Sequence, residues 1–490
     1  MFHHDTLFIG GSWATPATDV TDTILNPATE EVIGTVPVAS TADADAAIAV
    51  ARKAFDEGPW PSMRPAERQG YLRRLHDALR ARAAVLEDLV VGESGVARAR
   101  ARALHIDTTM DHLAFFTEMA GRTFTEPLMP MVRPRPGGRS VLGSSVQYRQ
   151  PVGVVSAIVP YNAPFLVSIA KVAPALGMGN TVVLKPSPLS PLQTFVLAEA
   201  IEEAGFPPGV FNLLTGESDV GELLSSDERI DLVSFTGSEP VGAAVLAQAA
   251  RTIKKVLLEL GGKSALIIRE DAEMDRAVQA GLASLVNQAG QGCSITTRHL
   301  VHRSVVDEYV ASLTAAAGKV RIGDPSDLDI DMGPLIRERQ RERVEYFVET
   351  GRAEGAELVC GGRRPGHLSK GYFYEPTVFA GVDNASVIAQ EEIFGPVASV
   401  ITYETDDQAA EIANNSRFGL GGQIFSRDSG SAFELARRIR TGQVGINGGA
   451  GGMSSYAPFG GMKRSGLGRE YGEQGVLEFT EIQAISFNAG

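Results

Sequence analysis

Short runs of Val, Ile and Leu alternate with amphipathic stretches through the middle of the chain, and each alternation reads as one strand followed by one helix. The runs are 152–159, 181–185, 209–214, 231–235 and 255–259, with helical segments such as 191–205 between them. Runs this continuous predict strands buried on both faces. The sheet should then be parallel and doubly wound, with ligands at the carboxyl ends of its strands. A second series, at 264–270, 298–304, 357–360, 397–403 and 421–426, predicts a second α/β unit. Upstream, Ser40 with Asp43 three residues later predicts a capped helix. Leu72, Leu75, Leu79 and Leu86 mark the apolar stripe of a longer helix over 65–88, with arginines on its wet face. Residues 127–150 break the pattern with Pro, Gly and Arg, and Gly137-Gly138 predicts the two-residue turn of a projecting hairpin. The alternating run 475–487 predicts a strand suited to pairing across subunits.

Composition narrows the class. The chain has 490 residues, 44% apolar and 21% charged, which suits several packed domains and argues against disorder or collagen-like repeats. A net charge of −14 repels nucleic acid and anionic membranes on average. No apolar run approaches the ~20 residues that span a bilayer. Two cysteines exclude a disulfide framework, and with no export-like N-terminus the expected compartment is the cytoplasm.

Cys293 stands in Gly290-Gln291-Gly292-Cys293-Ser294, between a helix over 273–288 and a strand over 298–303. A packing cysteine normally sits within an apolar run, so this setting favours an exposed reactive thiol; Cys360, ending the run 357–360, has the packing environment. Glu259 closes a strand before Leu260-Gly261-Gly262-Lys263. It reads either as an ordinary ion-pair partner or as a base whose pKa is raised in a dry cleft. Gly262-Lys263-Ser264 mimics the tail of a phosphate loop, but Leu257 occupies that loop's first glycine position. Asn162, where a strand turns into a helix, reads as an N-cap or as an amide donor to a developing oxyanion. The turn Phe235-Thr236-Gly237-Ser238 opens a helix at which amides and a hydroxyl suit a pyrophosphate. His299 and His302 fall on opposite faces of a strand, so no metal site is expected.

Together these segments resemble the NAD(P)-dependent aldehyde dehydrogenase superfamily through nearly the whole chain. The resemblance is carried by Asn26-Pro27-Ala28-Thr29, Pro160-Tyr161-Asn162-Ala163-Pro164-Phe165, Leu184-Lys185-Pro186-Ser187, Phe235-Thr236-Gly237-Ser238, Leu258-Glu259-Leu260-Gly261-Gly262-Lys263, Gly290-Gln291-Gly292-Cys293, Glu391-Glu392-Ile393-Phe394-Gly395-Pro396-Val397 and Pro458-Phe459-Gly460-Gly461. Glu259 and Cys293 stand 34 residues apart, as in that family. The resemblance implies two Rossmann-like doubly wound domains and an oligomerisation hairpin. They divide as 1–126 with 149–261 for the cofactor, 262–474 for catalysis, and 127–148 with 475–490 for the arm of a homodimer or homotetramer.

The resemblance further implies that Cys293 is the nucleophile and Asn162 the oxyanion donor. Glu259 would be the base that hydrolyses the thioester, with Lys171 and Glu470 in a proton relay. Around NAD it implies Pro160, Tyr161, Lys185, Ser187, Pro188, Phe235, Thr236, Gly237, Ser238, Val241, Leu260, Gly261, Glu392 and Phe394. Pro188 stands where the NAD-preferring pattern has a glutamate, which makes NADP the rival cofactor. Around the aldehyde lie Val167, Gln291, Ser294 and Phe459. Small Ala163, Val167 and Ala170 beside aromatic Tyr161 and Phe459 suggest a tunnel for an aromatic or bulky aldehyde. The alternatives are a CoA-acylating enzyme, against which Glu259 speaks, and a non-catalytic protein on the same fold.

Overall fold

The computed structural model describes residues 1–138, 140–449 and 453–488. Its centre is an eight-stranded sheet whose five inner strands run parallel in the spatial order Lys255–Glu259, Leu232–Thr236, Val154–Ile158, Thr181–Lys185 and Phe211–Leu213. These are the five apolar runs of the first series, and every residue of Thr181–Lys185 is buried. Strands Leu7–Ile9 with Ser12–Ala14 and Gly466–Leu467 close the two edges in antiparallel pairing. The first strand of the series, Val154–Ile158, lies at the centre. The chain fills one flank with the next two strands and then crosses to the other flank. The reversal opens a crevice at the carboxyl ends of Val154–Ile158 and Leu232–Thr236, where doubly wound sheets bind ligands.

The second sheet has the order Glu357–Cys360, Thr377–Ala380, Val397–Tyr403, Thr296–His302, Ser264–Ile268, Gly422–Phe425 and Gly445–Ile446, parallel except for the first strand. Thr377–Ala380 has no counterpart in the sequence reading because four residues between Pro376 and Gly381 are too short a run to stand out. A third sheet pairs Thr480–Asn488, Ser140–Pro151 and Thr125–Pro127, with Met131–Pro134 also on the long strand. The three-part division of the chain stands as a proposal, and Gly466–Leu467 joins the eight-stranded sheet.

Ser40 and Asp43 form a reciprocal capping box on the helix Thr41–Asp56, as expected. Other expectations need correction. The helix over 65–88 is two helices, Pro65–Ala81 and Ala83–Ser94, broken at Arg82, whose backbone leaves the helical region (φ −97°, ψ 7°). The hairpin connection runs from Pro134 to Ser140, longer than a two-residue turn, although Gly137 and Gly138 both have positive φ. The run 475–487 starts in a short helix, Gly472–Leu477, and becomes a strand only at Thr480. That strand pairs with Ser140–Pro151 of its own chain, leaving Ile482, Ile485 and Phe487 exposed.

Candidate active site

Two loops leave the crevice of the central sheet. From Val154–Ile158 the chain passes through Pro160, Tyr161 and Asn162 into the helix Pro164–Gly177; from Leu232–Thr236 it passes through Gly237 and Ser238 into the helix Glu239–Ala249. Ser238 occupies the N-cap position in extended backbone, but its side chain makes no capping bond. Its hydroxyl and the first helical amides are therefore available to an anion. A Cβ on Gly237 would meet the buried Phe235 ring at 2.5 Å, so only glycine lets this loop pass. Thr236 Oγ1 is buried without a partner, and Val241 lies half-exposed in the first helical turn.

Lys185 ends the next strand and is 6% exposed, with one long hydrogen bond of 3.4 Å to the carbonyl of Pro186. Burial lowers its ammonium to about 8. The following loop carries Ser187, whose hydroxyl accepts from the Leu189 amide at 3.3 Å, and the half-buried Pro188. Ser190 ties it to the Tyr161 loop by donating to the Tyr161 carbonyl at 2.9 Å. On the opposite wall, Glu392 Oε1 accepts from the Gly262 amide at 3.0 Å, and a Cβ on Gly261 would lie 2.3 Å from the other Glu392 oxygen. Burial raises Glu392 to about 7. Phe394, at φ 59°, meets Tyr161 edge to face at 5.9 Å. A hydroxyl at a helix start, an orphaned threonine oxygen and a nearly unpartnered lysine suit a dinucleotide laid across this edge.

Cys293 is held by an unusual turn. After the helix Met274–Val286, Gln288 and Ala289 adopt left-handed backbone (φ 50° and 51°) and Gly290 continues it (φ 74°). A Cβ on Gly290 would stand 2.2 Å from the Gly395 carbonyl oxygen, so this glycine allows the thiol loop and the Glu392–Phe394 loop to touch. Gln291 is buried and anchors the loop: its Oε1 accepts from the Ile336 amide at 3.1 Å and its Nε2 donates to the Gln288 carbonyl at 2.9 Å. Asn162 Nδ2 donates to the Gln291 carbonyl at 3.0 Å, and Gln288 donates back to the Asn162 carbonyl. Ala163, not Asn162, is the N-cap residue of the following helix. The capping alternative is thus set aside, and the Asn162 amide sits on the thiol loop.

Cys293 itself is half-buried beside half-buried Ser294, not exposed as its sequence setting suggested, because the loop folds back onto Gly262. A Cβ on Gly262 would lie 2.5 Å from the Cys293 carbonyl oxygen. Burial pushes the thiol up to about 12, and the charges of Glu259 and Glu392 act in the same direction. The resting thiol is therefore protonated at neutral pH.

Glu259 is 4% exposed, and neither carboxylate oxygen has a hydrogen-bond partner. Burial, then the negative charge of Glu470, hold its carboxyl well above the ordinary range, against the pull of Lys171 and Arg469. The ion-pair alternative fails, since the local ion pair belongs to others. Lys171 Nζ, fully buried, bonds Glu470 Oε1 at 2.6 Å and Ser234 Oγ at 2.9 Å.

Phe459, Tyr471 and Ala170 belong to one large apolar cluster, and Cys293 and Val167 both pack against it. Phe459 meets Tyr471 edge to face at 6.1 Å; Tyr471 stacks on Phe116, and Phe115 meets Tyr456. Tyr161 pairs with Phe394, whereas Phe459 pairs with Tyr471. Burial and the charges of Glu470, Glu259 and Cys293 raise the Tyr471 phenol. Sequence reasoning missed Tyr471 and Ser234, which no local pattern marks. It also passed over Lys263, whose buried Nζ has no partner and is lowered by burial to about 7. The Gly-Gly-Lys run was its only signal. Among the described residues no three His, Cys, Asp or Glu side chains cluster as a metal site.

Known proteins with this architecture share its length. Residues 13–485 match the model of the aldehyde dehydrogenase family. Geranial dehydrogenase of Castellaniella defragrans is 41% identical over 482 residues, 98% of each chain. The solved aldehyde dehydrogenase of Mycobacterium tuberculosis complexed with NAD+ is 42% identical, with a TM-score of 0.92 over 99% of this chain and 98% of that one. Betaine aldehyde dehydrogenase of Staphylococcus aureus in complex with NAD+ is 36% identical, with a TM-score of 0.95 over 99% and 95%. On this evidence the chain belongs to the aldehyde dehydrogenase family.

Proposed function

We propose that this protein oxidises aromatic or bulky apolar aldehydes to carboxylic acids with NAD(P)+, through an acyl group carried on Cys293. The oxidation of an aldehyde with NAD(P)+ follows from family membership. The observation that carries the residue assignment is the pairing of a thiol loop braced by Asn162 with a buried carboxylate, Glu259, that has no partner of its own.

The Cys293 sulfur bonds the aldehyde carbon as its proton leaves to Glu259 or water. The carbonyl oxygen becomes an oxyanion facing the Asn162 amide and the Cys293 N–H. NAD(P)+, which Lys185, Ser238 and Glu392 would hold, would supply the acceptor for the hydride that this carbon gives up as it becomes an acyl thioester on the sulfur. Once the thiol proton has left, Glu259 takes a proton from water as the water oxygen attacks the thioester carbon; the carbon–sulfur bond breaks, the departing sulfur takes that proton back from Glu259, and the acid is freed with the thiol restored. Lys171 and Glu470, a buried ion pair whose charges act on Glu259, offer the thiol proton a route off Glu259 before water attacks. A protonated resting thiol suits this order, since thiolate is needed only when substrate is in place. Lys185, Ser238 and Glu392 hold the cofactor, and Val167, Gln291, Ser294 and Phe459 border the aldehyde.

The apolar wall of Phe459 and Tyr471 supports a bulky, uncharged substrate, as does similarity to a geranial dehydrogenase. The exposed Ile482, Ile485 and Phe487 of the arm support assembly as a homodimer or homotetramer. No helix among the described residues is long and apolar enough to cross a membrane, and we place the protein in the cytoplasm. A panel of aldehydes followed by nicotinamide reduction tests the substrate class. Benzaldehyde-type and terpenoid aldehydes should exceed betaine aldehyde and succinic semialdehyde at least tenfold in kcat/KM; the reverse order overturns it.

A further inference from the structure

Three segments converge on the ammonium of Lys185. The strand beside it, Phe211–Leu213, leads through Thr215 and Gly216 to Glu217, which stands at the N-cap position of the helix Ser218–Ser226 without a side-chain capping bond, with Asp219 in its first turn. That helix lies against the lysine: a Cβ on Gly221 would be 3.9 Å from both Lys185 Cδ and Cε. The Thr215 hydroxyl donates to the Pro37 carbonyl, which fastens this turn to the strand Val32–Pro37. The antiparallel partner of that strand carries Asp22, in register with Val36. Asp22 Oδ2 is buried and has no hydrogen-bond partner. The charges of Glu217, Asp219 and Asp22 all act on the Lys185 ammonium, and Asp22 feels both Glu217 and Lys185. One cation thus lies in the field of three carboxylates, beside a loop in which Pro188 supplies none.

From this juxtaposition we propose that Glu217, with Asp219 and Asp22, supplies the carboxylate that Pro188 lacks, so that the adenosine end of the site accepts a ribose 2′-hydroxyl and rejects a 2′-phosphate. The inference rests on the reading above that Lys185 receives the adenosine ribose. A hydroxyl can donate to a carboxylate, whereas a 2′-phosphate adds roughly −1.5 to −2 charges to an already negative cradle. Glu217 and Asp219 are exposed, so the repulsion should respond to salt.

The test compares NAD+ and NADP+ with one good aldehyde. Wild-type protein should prefer NAD+ by about 100-fold or more in kcat/KM. Glu217→Gln should shrink that ratio about tenfold, through a lower KM for NADP+, and Glu217→Gln with Asp219→Asn should shrink it further. High salt should lower the wild-type KM for NADP+ while that for NAD+ moves less than about twofold. Equal use of the two cofactors by wild type, or an unchanged ratio in Glu217→Gln, overturns the inference. Absence of turnover with either cofactor would contradict the dehydrogenase reading instead. Calorimetric titration with NAD+ and NADP+ then decides the charge argument, and equally tight NADP+ binding defeats it.

Discussion

Glu93, in a helix, and Glu259, at the end of a strand, are two buried carboxylates, and burial raises both. Glu93, fully buried in the helix Ala83–Ser94, accepts from the Leu192 amide at 2.9 Å and the Gln193 amide at 3.1 Å. It thereby satisfies the open end of the helix Leu192–Ala204, which no local side chain caps. Glu259, equally hidden, satisfies nothing and is satisfied by nothing. An unpartnered buried oxygen costs roughly 1–3 kcal/mol. A fold does not need such a group, so its presence beside a thiol loop points to chemistry, while Glu93 points to architecture.

The largest contrast should appear in turnover. Glu259→Gln should lower steady-state kcat at least ~100-fold, whereas Glu93→Gln should stay within about threefold in folded protein. Equal losses would erase the distinction. A smaller effect concerns pH. Glu259 must shed a proton that burial and Glu470 hold on it, so deacylation-limited kcat should climb as pH rises beyond the ordinary carboxylate range. A flat wild-type profile, or one unchanged in Glu259→Gln, would count against the base assignment.

The smallest effect is on stability. The folded Glu93 pKa, about 7, lies above the ordinary 4.5, so the native state holds this proton more tightly than the unfolded chain. Its contribution is complete below about pH 4.5 and is lost as pH rises to about 7, with an upper limit of about 3 kcal/mol. Glu93→Gln should remove that dependence. The gap between its urea midpoint and that of wild type should therefore change across this window and stay constant above it.

The fold was legible wherever one strong local rule acted. Continuous apolar runs located the five parallel strands, two of them to the residue, and the Ser40–Asp43 pair located a helix start. Arg82 shows the limit: an unbroken leucine stripe hides a helix break that is set by backbone angles. In the site, Cys293, Glu259 and Asn162 stand beside glycines or at strand ends, where local sequence betrays a departure from packing. Tyr471, Ser234 and Glu93 do not, because their partners lie far along the chain: Ser234 meets Lys171 and Glu93 meets Leu192 only through the fold. The degree of burial at Cys293 was likewise illegible, since it depends on Gly262 pressing on the loop.

The most direct test of the account is the mass of the Glu259→Gln variant after mixing with an aldehyde and NAD+. One acyl group should accumulate per chain, mapped by peptide sequencing to Cys293 and accompanied by one equivalent of reduced nicotinamide. If nicotinamide is reduced while Cys293 remains unmodified, or if the acyl group resides on Cys360, the thiol does not carry the reaction and the account is contradicted.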